Sequence, residues 1–139
     1  MNLEKEMTDS LKENSQFDNK ELLMQLEKQV AVSIWIQSIG KIMESVNLTK
    51  ILLLSEEKRF ETNELQIVQG VWIQTIGQII EALGVTKEVL SGEENDLKWA
   101  AIANSGDWLQ GIGAIYEAHA GKQIIQKEKA ERIAKLFIP

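Results

Sequence analysis

Three glutamates recur in one sequence context: Glu44 in "SIWIQSIGKIMESV", Glu81 in "GVWIQTIGQIIEAL" and Glu117 in "GDWLQGIGAIYEAH". Each follows a glutamine by seven residues: Gln37, Gln74 and Gln110. Carboxylates in such a pattern could do acid–base work, help hold a metal, or bond with amides across a helix contact. The first two readings lack partners. His119 is the single histidine and lies two residues after Glu117, so no Glu-x-x-His pair exists. A ferritin-like di-iron site needs two such pairs. With no cysteine in the chain, zinc would depend almost wholly on carboxylates. A Ser-His-acid triad could use only His119, and no G-x-S-x-G elbow accompanies it. "GIGAIYEAHAG" lacks the GxGxxG spacing of a phosphate loop and belongs to a helical pattern. The sequence thus points to a protein that is not an enzyme, with no catalytic, cofactor-binding or metal-ligating residue and no cofactor.

The elements carrying these residues repeat. Trp35, Trp72 and Trp108 are 37 and 36 residues apart. With tryptophan as position 0, all three segments share Trp at 0, Gln at +2, Ile at +4, Gly at +5, Ile at +7 and Glu at +9. A repeat at this period denotes a duplicated supersecondary unit. Turned at 100° per residue, the apolar positions of each unit, tryptophan among them, cover an arc of about 120°. That arc predicts an amphipathic helix with Trp35, Trp72 and Trp108 as the repeat core. A strand reading fails, because apolar residues at 0, +1, +4 and +7 would fall on both faces.

A second stripe borders the arc. Positions −2, +5 and +12 are Ser33-Gly40-Asn47, Gly70-Gly77-Gly84 and Gly106-Gly113-Ala120. Gly40, Gly77 and Gly113 lie mid-helix, where each glycine costs roughly 0.8–1 kcal/mol against alanine. Close approach of a neighbouring helix would offset that cost. Gln37/Glu44, Gln74/Glu81 and Gln110/Glu117 adjoin the stripe, so the nine Gly, Gln and Glu residues form a candidate interaction surface, either internal packing or an interface. The last members, Asn47, Gly84 and the Ala120-Gly121 pair, also suit C-terminal caps. Thr49 and Thr86 could then cap a short apolar turn. His119 falls toward the apolar arc near such a helix end, as a packed or end-capping histidine. Trp99 lies about 180° from Trp108 on the wheel, and suits core or end packing or, alternatively, contact with a partner.

The expected organisation is a polar leader over 1–18, with a short helix over 3–13, and one helical-repeat domain over 19–139. Repeat helices are expected at about 19–46, 57–83 and 94–120, with a terminal amphipathic helix at about 122–137. "SGEEND", at 91–96, is the clearest loop and helix-start signal. Proline occurs only at Pro139, which favours long helices. The fold class is all-α, an up-and-down antiparallel bundle of three repeats plus a C-terminal helix.

Composition limits the partners. A formal charge of −6, from 15 basic and 21 acidic side chains, opposes nucleic-acid binding. The ends differ in sign: residues 1–29 carry −3 and residues 121–139 carry +3. The longest uncharged run, Leu65 to Ile80, is 16 residues with four glutamines, too short and too polar for a membrane span. The charged N-terminus carries no apolar segment of a secretory signal, and with the lack of cysteine this suits a cytoplasmic protein. The expected partner is another protein or a second copy of the chain. A membrane is the less favoured partner, reached through glycine-spaced apolar helices.

The W-[IL]-Q-x-I-G-x-I-x-E pattern, covering about residues 26–122, resembles a family of small repetitive proteins of Bacillus-type bacteria. The resemblance implies no substrate, cofactor or catalytic residue. The pattern differs from the W-x-G turn of small helical secreted proteins, because here glycine follows tryptophan at +5 within a helix.

Overall fold

A computed structural model describes residues 2–56, 61–91 and 96–138. The protein is all-α, with three helices: α1 (Asn2–Leu54), α2 (Thr62–Ser91) and α3 (Asp96–Phe137). The absence of interior proline lets them run long. At 53 residues, α1 extends roughly 80 Å at 1.5 Å per residue. The expected leader over 1–18 is continuous with α1 from Asn2, and the separate helix at 122–137 is continuous with the third repeat in α3. Helix starts expected near 57 and 94, and the interior of "SGEEND", lie outside the described residues.

No helix stops at Asn47, Gly84 or Ala120, so these residues do not cap. Thr49 and Thr86 likewise sit inside helices. Their hydroxyls donate to the carbonyls four residues back, Ser45 and Ala82, at 2.7 Å each. This back-bonding leaves the hydroxyl oxygen free to accept from elsewhere.

Helix α2 is central. Against α1 it pairs Ser38 with Gln78 and Ser45 with Val71, so the two run antiparallel. Against α3 it pairs Gly84 with Ala103, Gly77 with Gly106 and Gly70 with Gly113, again antiparallel. Among the described residues α1 and α3 do not meet, and the inter-helix packing is α1 on α2 and α2 on α3. The described residues form an open three-helix layer.

The layer is held by small residues. Fully or almost fully buried positions include Ser38, Ser45, Val71, Thr75, Ala82 and Ala120. The expected tryptophan core is absent. Trp35 and Trp72 are each 38% exposed and Trp108 is 69% exposed. Ile39, Ile76, Ile112 and Ile115 are exposed with them. The apolar arc faces outward because the seams need backbones close together, which bulky side chains would prevent.

The glycines show how close. A Cβ built on Gly77 would stand 2.6 Å from the Gly106 carbonyl oxygen. One on Gly113 would stand 2.6 Å from the Gly70 carbonyl oxygen. Neither backbone atom can swing aside, so the helices must separate. Gly77→Ala should cost about 1–3 kcal/mol by overpacking. Gly111, whose Cβ would meet nothing within 4 Å, provides the control. Gly111→Ala should stabilise by roughly 0.8–1 kcal/mol through helix propensity. Urea unfolding followed by circular dichroism reads both. Equal effects would refute the close seam.

Candidate interaction surfaces

Two kinds of seam lie on two faces of the same repeat. The first joins repeat one to repeat two through hydroxyls at +3 and +10. Ser45 Oγ and Thr75 Oγ1 are 2.5 Å apart, and the Thr75 hydroxyl is 3.2 Å from the Lys41 carbonyl. Both hydroxyls also reach carbonyls of their own helices, Lys41 and Val71. Each tryptophan then reaches across to the threonine at +14 of the other repeat. Trp35 Nε1 donates to Thr86 Oγ1 at 2.9 Å, and Trp72 Nε1 donates to Thr49 Oγ1 at 3.0 Å. The indole N–H is thus satisfied at the seam's edge while the ring stays partly exposed. Tryptophan-to-threonine pairing at a spacing of +14 is present in the sequence at both places, but only the antiparallel register makes it meaningful.

The second seam joins repeat two to repeat three. Here the Gly/Gln/Glu stripe is internal packing, with Gly70, Gly77 and Gly84 against Gly113, Gly106 and Ala103. Gln74 Nε2 donates to Glu117 Oε2 at 2.6 Å, and Gln110 Nε2 donates to Glu81 Oε2 at 2.7 Å. Amide bonds to a carboxylate are charge-assisted and stronger than neutral ones. Gln78 adds a second donor to Glu81 at 3.1 Å. Gln74 also accepts from Lys41 Nζ at 3.2 Å, so its amide links α1, α2 and α3.

Both seams are reciprocal: position i of one repeat meets position j of the other, and j meets i. Two antiparallel helices related this way share a two-fold axis normal to the layer. Such an axis keeps their outward faces on one side. The Trp/Ile arcs of all three helices therefore lie on the same side of the layer, exposed.

Repeat one uses only its hydroxyl face. Its Gly/Gln/Glu face is open: Gln37, Gly40 and Glu44 are exposed, and a Cβ on Gly40 would meet nothing within 4 Å. Glu44 accepts from Lys41 Nζ at 2.8 Å. The nine stripe residues thus divide into six that meet between α2 and α3 and three that stand apart on α1.

His119 is exposed on a helix that continues to Phe137, so it neither packs inside nor ends the helix. Its Nε2 lies 2.9 Å from Gln123 Nε2. Trp99 is half-buried, with Lys98 Nζ 5.3 Å from its ring centroid, an exposed-type cation–π contact. Lys127 bridges to Glu61 at 2.8 Å, and this hydrogen bond raises the lysine pKa above its ordinary value. Among the described residues no group of three or more histidines or acids is placed to hold a metal, and no helix is long and apolar enough to cross a membrane.

No family model, curated protein or solved structure matches the chain.

Gln74 is the sharpest test of the polar seam. Gln74→Ala leaves the half-buried Glu117 carboxylate without its amide donor and should cost about 1.5–3 kcal/mol. Chemical denaturation of the purified variant measures it. A loss under about 0.5 kcal/mol, the usual range of a neutral surface change, would contradict the pairing.

Proposed function

We propose that this protein is a non-enzymatic interaction module that associates with a protein partner or with itself. The observation that carries this reading is the apolar arc left outside on three neighbouring helices. Trp35, Ile39, Trp72, Ile76, Trp108 and Ile112 are exposed on one side of a single layer. Apolar surface concentrated in this way marks an association site more often than a free surface. Tryptophans held by a hydrogen bond at one edge suit the rigid aromatic anchors of binding surfaces.

The carboxylates support the same reading. Glu81 and Glu117 are engaged with glutamine amides, and Glu44 with Lys41. In this proposal the up-and-down bundle of three repeats becomes compact only when the Trp/Ile side is covered. The resemblance to repetitive Bacillus-type proteins, and a cytoplasmic location, belong to the same proposal.

A second reading has one specific support. The same arc could lie on a bilayer surface, with aromatic rings at the interface. The net charge of −6 opposes contact with anionic lipid.

Introducing lysine at Ile39, Ile76 and Ile112 together tests both readings, since all three are exposed and the seams are untouched. Light scattering over a wide concentration range should give a wild-type mass that rises with concentration and exceeds that of the triple variant throughout. Equal masses would contradict self-association by this side. Co-sedimentation of the wild type, but not the variant, with neutral vesicles would favour the bilayer instead.

A further inference from the structure

We infer that the free arm at the start of α1 docks on the free arm at the end of α3 of a second copy of this chain, so that copies join head to tail. The inference goes beyond association through the Trp/Ile side, because it uses none of those residues.

The two seams place the arms at opposite ends of the layer. Both seams are antiparallel, so α1 and α3 run parallel. Counting on from the Ser38–Gln78 and Trp35–Thr86 contacts, the end of α2 at Ser91 is level with about residue 27 of α1. Counting on from the contacts of Gly70 with Gly113 and Glu117, the start of α2 at Thr62 is level with about residue 123 of α3. Lys127, one turn further, reaches Glu61. The α1 arm therefore runs roughly 35 Å past one end of the layer, and the α3 arm roughly 20 Å past the other. Every residue from 5 to 30 and from 125 to 138 is exposed.

Each arm has an apolar face that carries one sign of charge. At 100° per residue, Met7, Leu11 and Leu22 share a face of α1 with Asp18 and Glu21. Lys5, Lys12 and Lys20 fall on the far side, beside Asp9 and Glu13. On α3, Ile125, Ile133, Leu136 and Phe137 share a face with Lys129, and Arg132 stands at its edge. Glu128 and Glu131 fall on the far side, beside Lys135. A helix draws most of its stability from packing such a face, so each arm lacks a cover. Charge decides what the cover is. Two α1 arms would set acid against acid, and two α3 arms base against base; only α1 on α3 is attractive. Within one chain the arms point apart from opposite ends of the layer, so the α3 arm must come from another copy.

One register satisfies both kinds of contact. Leu11 and Leu22 are eleven residues apart, about three turns of helix, and so are Ile125 and Leu136. Parallel pairing of Leu11 with the partner's Ile125 and of Leu22 with the partner's Leu136 sets Asp18 level with the partner's Arg132. The partner's Lys129 is then one turn away. The partner's Phe137 comes level with Leu23, just short of the layer, so the shorter arm fits along the longer one. The contact joins different surfaces on the two copies, and each added copy presents a fresh arm at its far end. In dilute solution, where the chains are single, both arms stay unsupported.

The test is made in the Ile39→Lys/Ile76→Lys/Ile112→Lys background, where the Trp/Ile side is disabled. Light scattering should give a mass that rises with concentration past twice the 15.7 kDa chain mass. In that background, Asp18→Lys/Glu21→Lys reverses the α1 arm and Lys129→Glu/Arg132→Glu reverses the α3 arm. Each reversed chain should keep its helicity, since all four residues are exposed, and should remain a monomer at the same concentrations. An equimolar mixture of the two reversed chains should regain the rising mass, because each reversed arm then meets an arm of opposite sign. A monomeric background, a mass that stops at two chains, a reversed chain that still associates alone, or a mixture that stays monomeric would overturn the proposal. A wild type that still exceeds the background in mass would leave association through the Trp/Ile side standing, so the two failures are separable.

Discussion

The structure depends on the approach of two helix backbones at Gly70, Gly77, Gly106 and Gly113. Each of these glycines is placed so that a single added carbon would stand 2.5–2.9 Å from a backbone atom of the other helix. Contact at that range has two consequences. It offsets the helix cost of glycine, through dispersion between closely apposed backbones. It also brings the flanking side chains, Gln74 and Glu117 on one edge and Gln110 and Glu81 on the other, within hydrogen-bonding distance.

A chain built on close backbone contact inverts the usual distribution of residue types. Ser38, Ser45, Thr75, Gln74 and Gln78 are buried, while Trp108, Ile39, Ile112 and Ile115 are exposed. Packing by small residues and interhelical hydrogen bonds lets the backbones approach closely and leaves these large apolar side chains outside the seams. The two seams use the same repeat in two orientations, so one duplicated unit supplies both a hydroxyl contact and a glycine contact. The Gln, Gly and Glu positions recur in all three segments, whereas the hydroxyl positions do not: the third segment has Gly111 and Ala118 where the first has Ser38 and Ser45.

The all-α class was readable from periodicity, and the special status of the Gly/Gln/Glu stripe from its recurrence. Whether that stripe lay inside or outside was open, and the structure answers by helix pair: inside between α2 and α3, outside on α1. The tryptophan face was misread because amphipathicity assigns the apolar arc to the interior by default. That default holds when bulky side chains fill a core. It fails at Gly77, where the contact excludes them. The helix ends were misread for a related reason: Gly84 and Ala120 resemble caps in sequence, yet their small size serves the seams, and no proline forces a stop. The Trp35–Thr86 and Trp72–Thr49 bonds could not be anticipated, since their register exists only once α1 and α2 are antiparallel.

Native-state hydrogen exchange tests the central claim most directly. If the close seams hold the molecule together, the slowest amides lie within residues 68–84 and 103–120, with a second protected set around Ser38 and Ser45. The exposed ends of α1 and α3, residues 5–30 and 125–137, should exchange orders of magnitude faster, as helix without tertiary support does. Uniform protection along the three helices, or protection that is lowest around Gly77 and Gly113, would contradict the account.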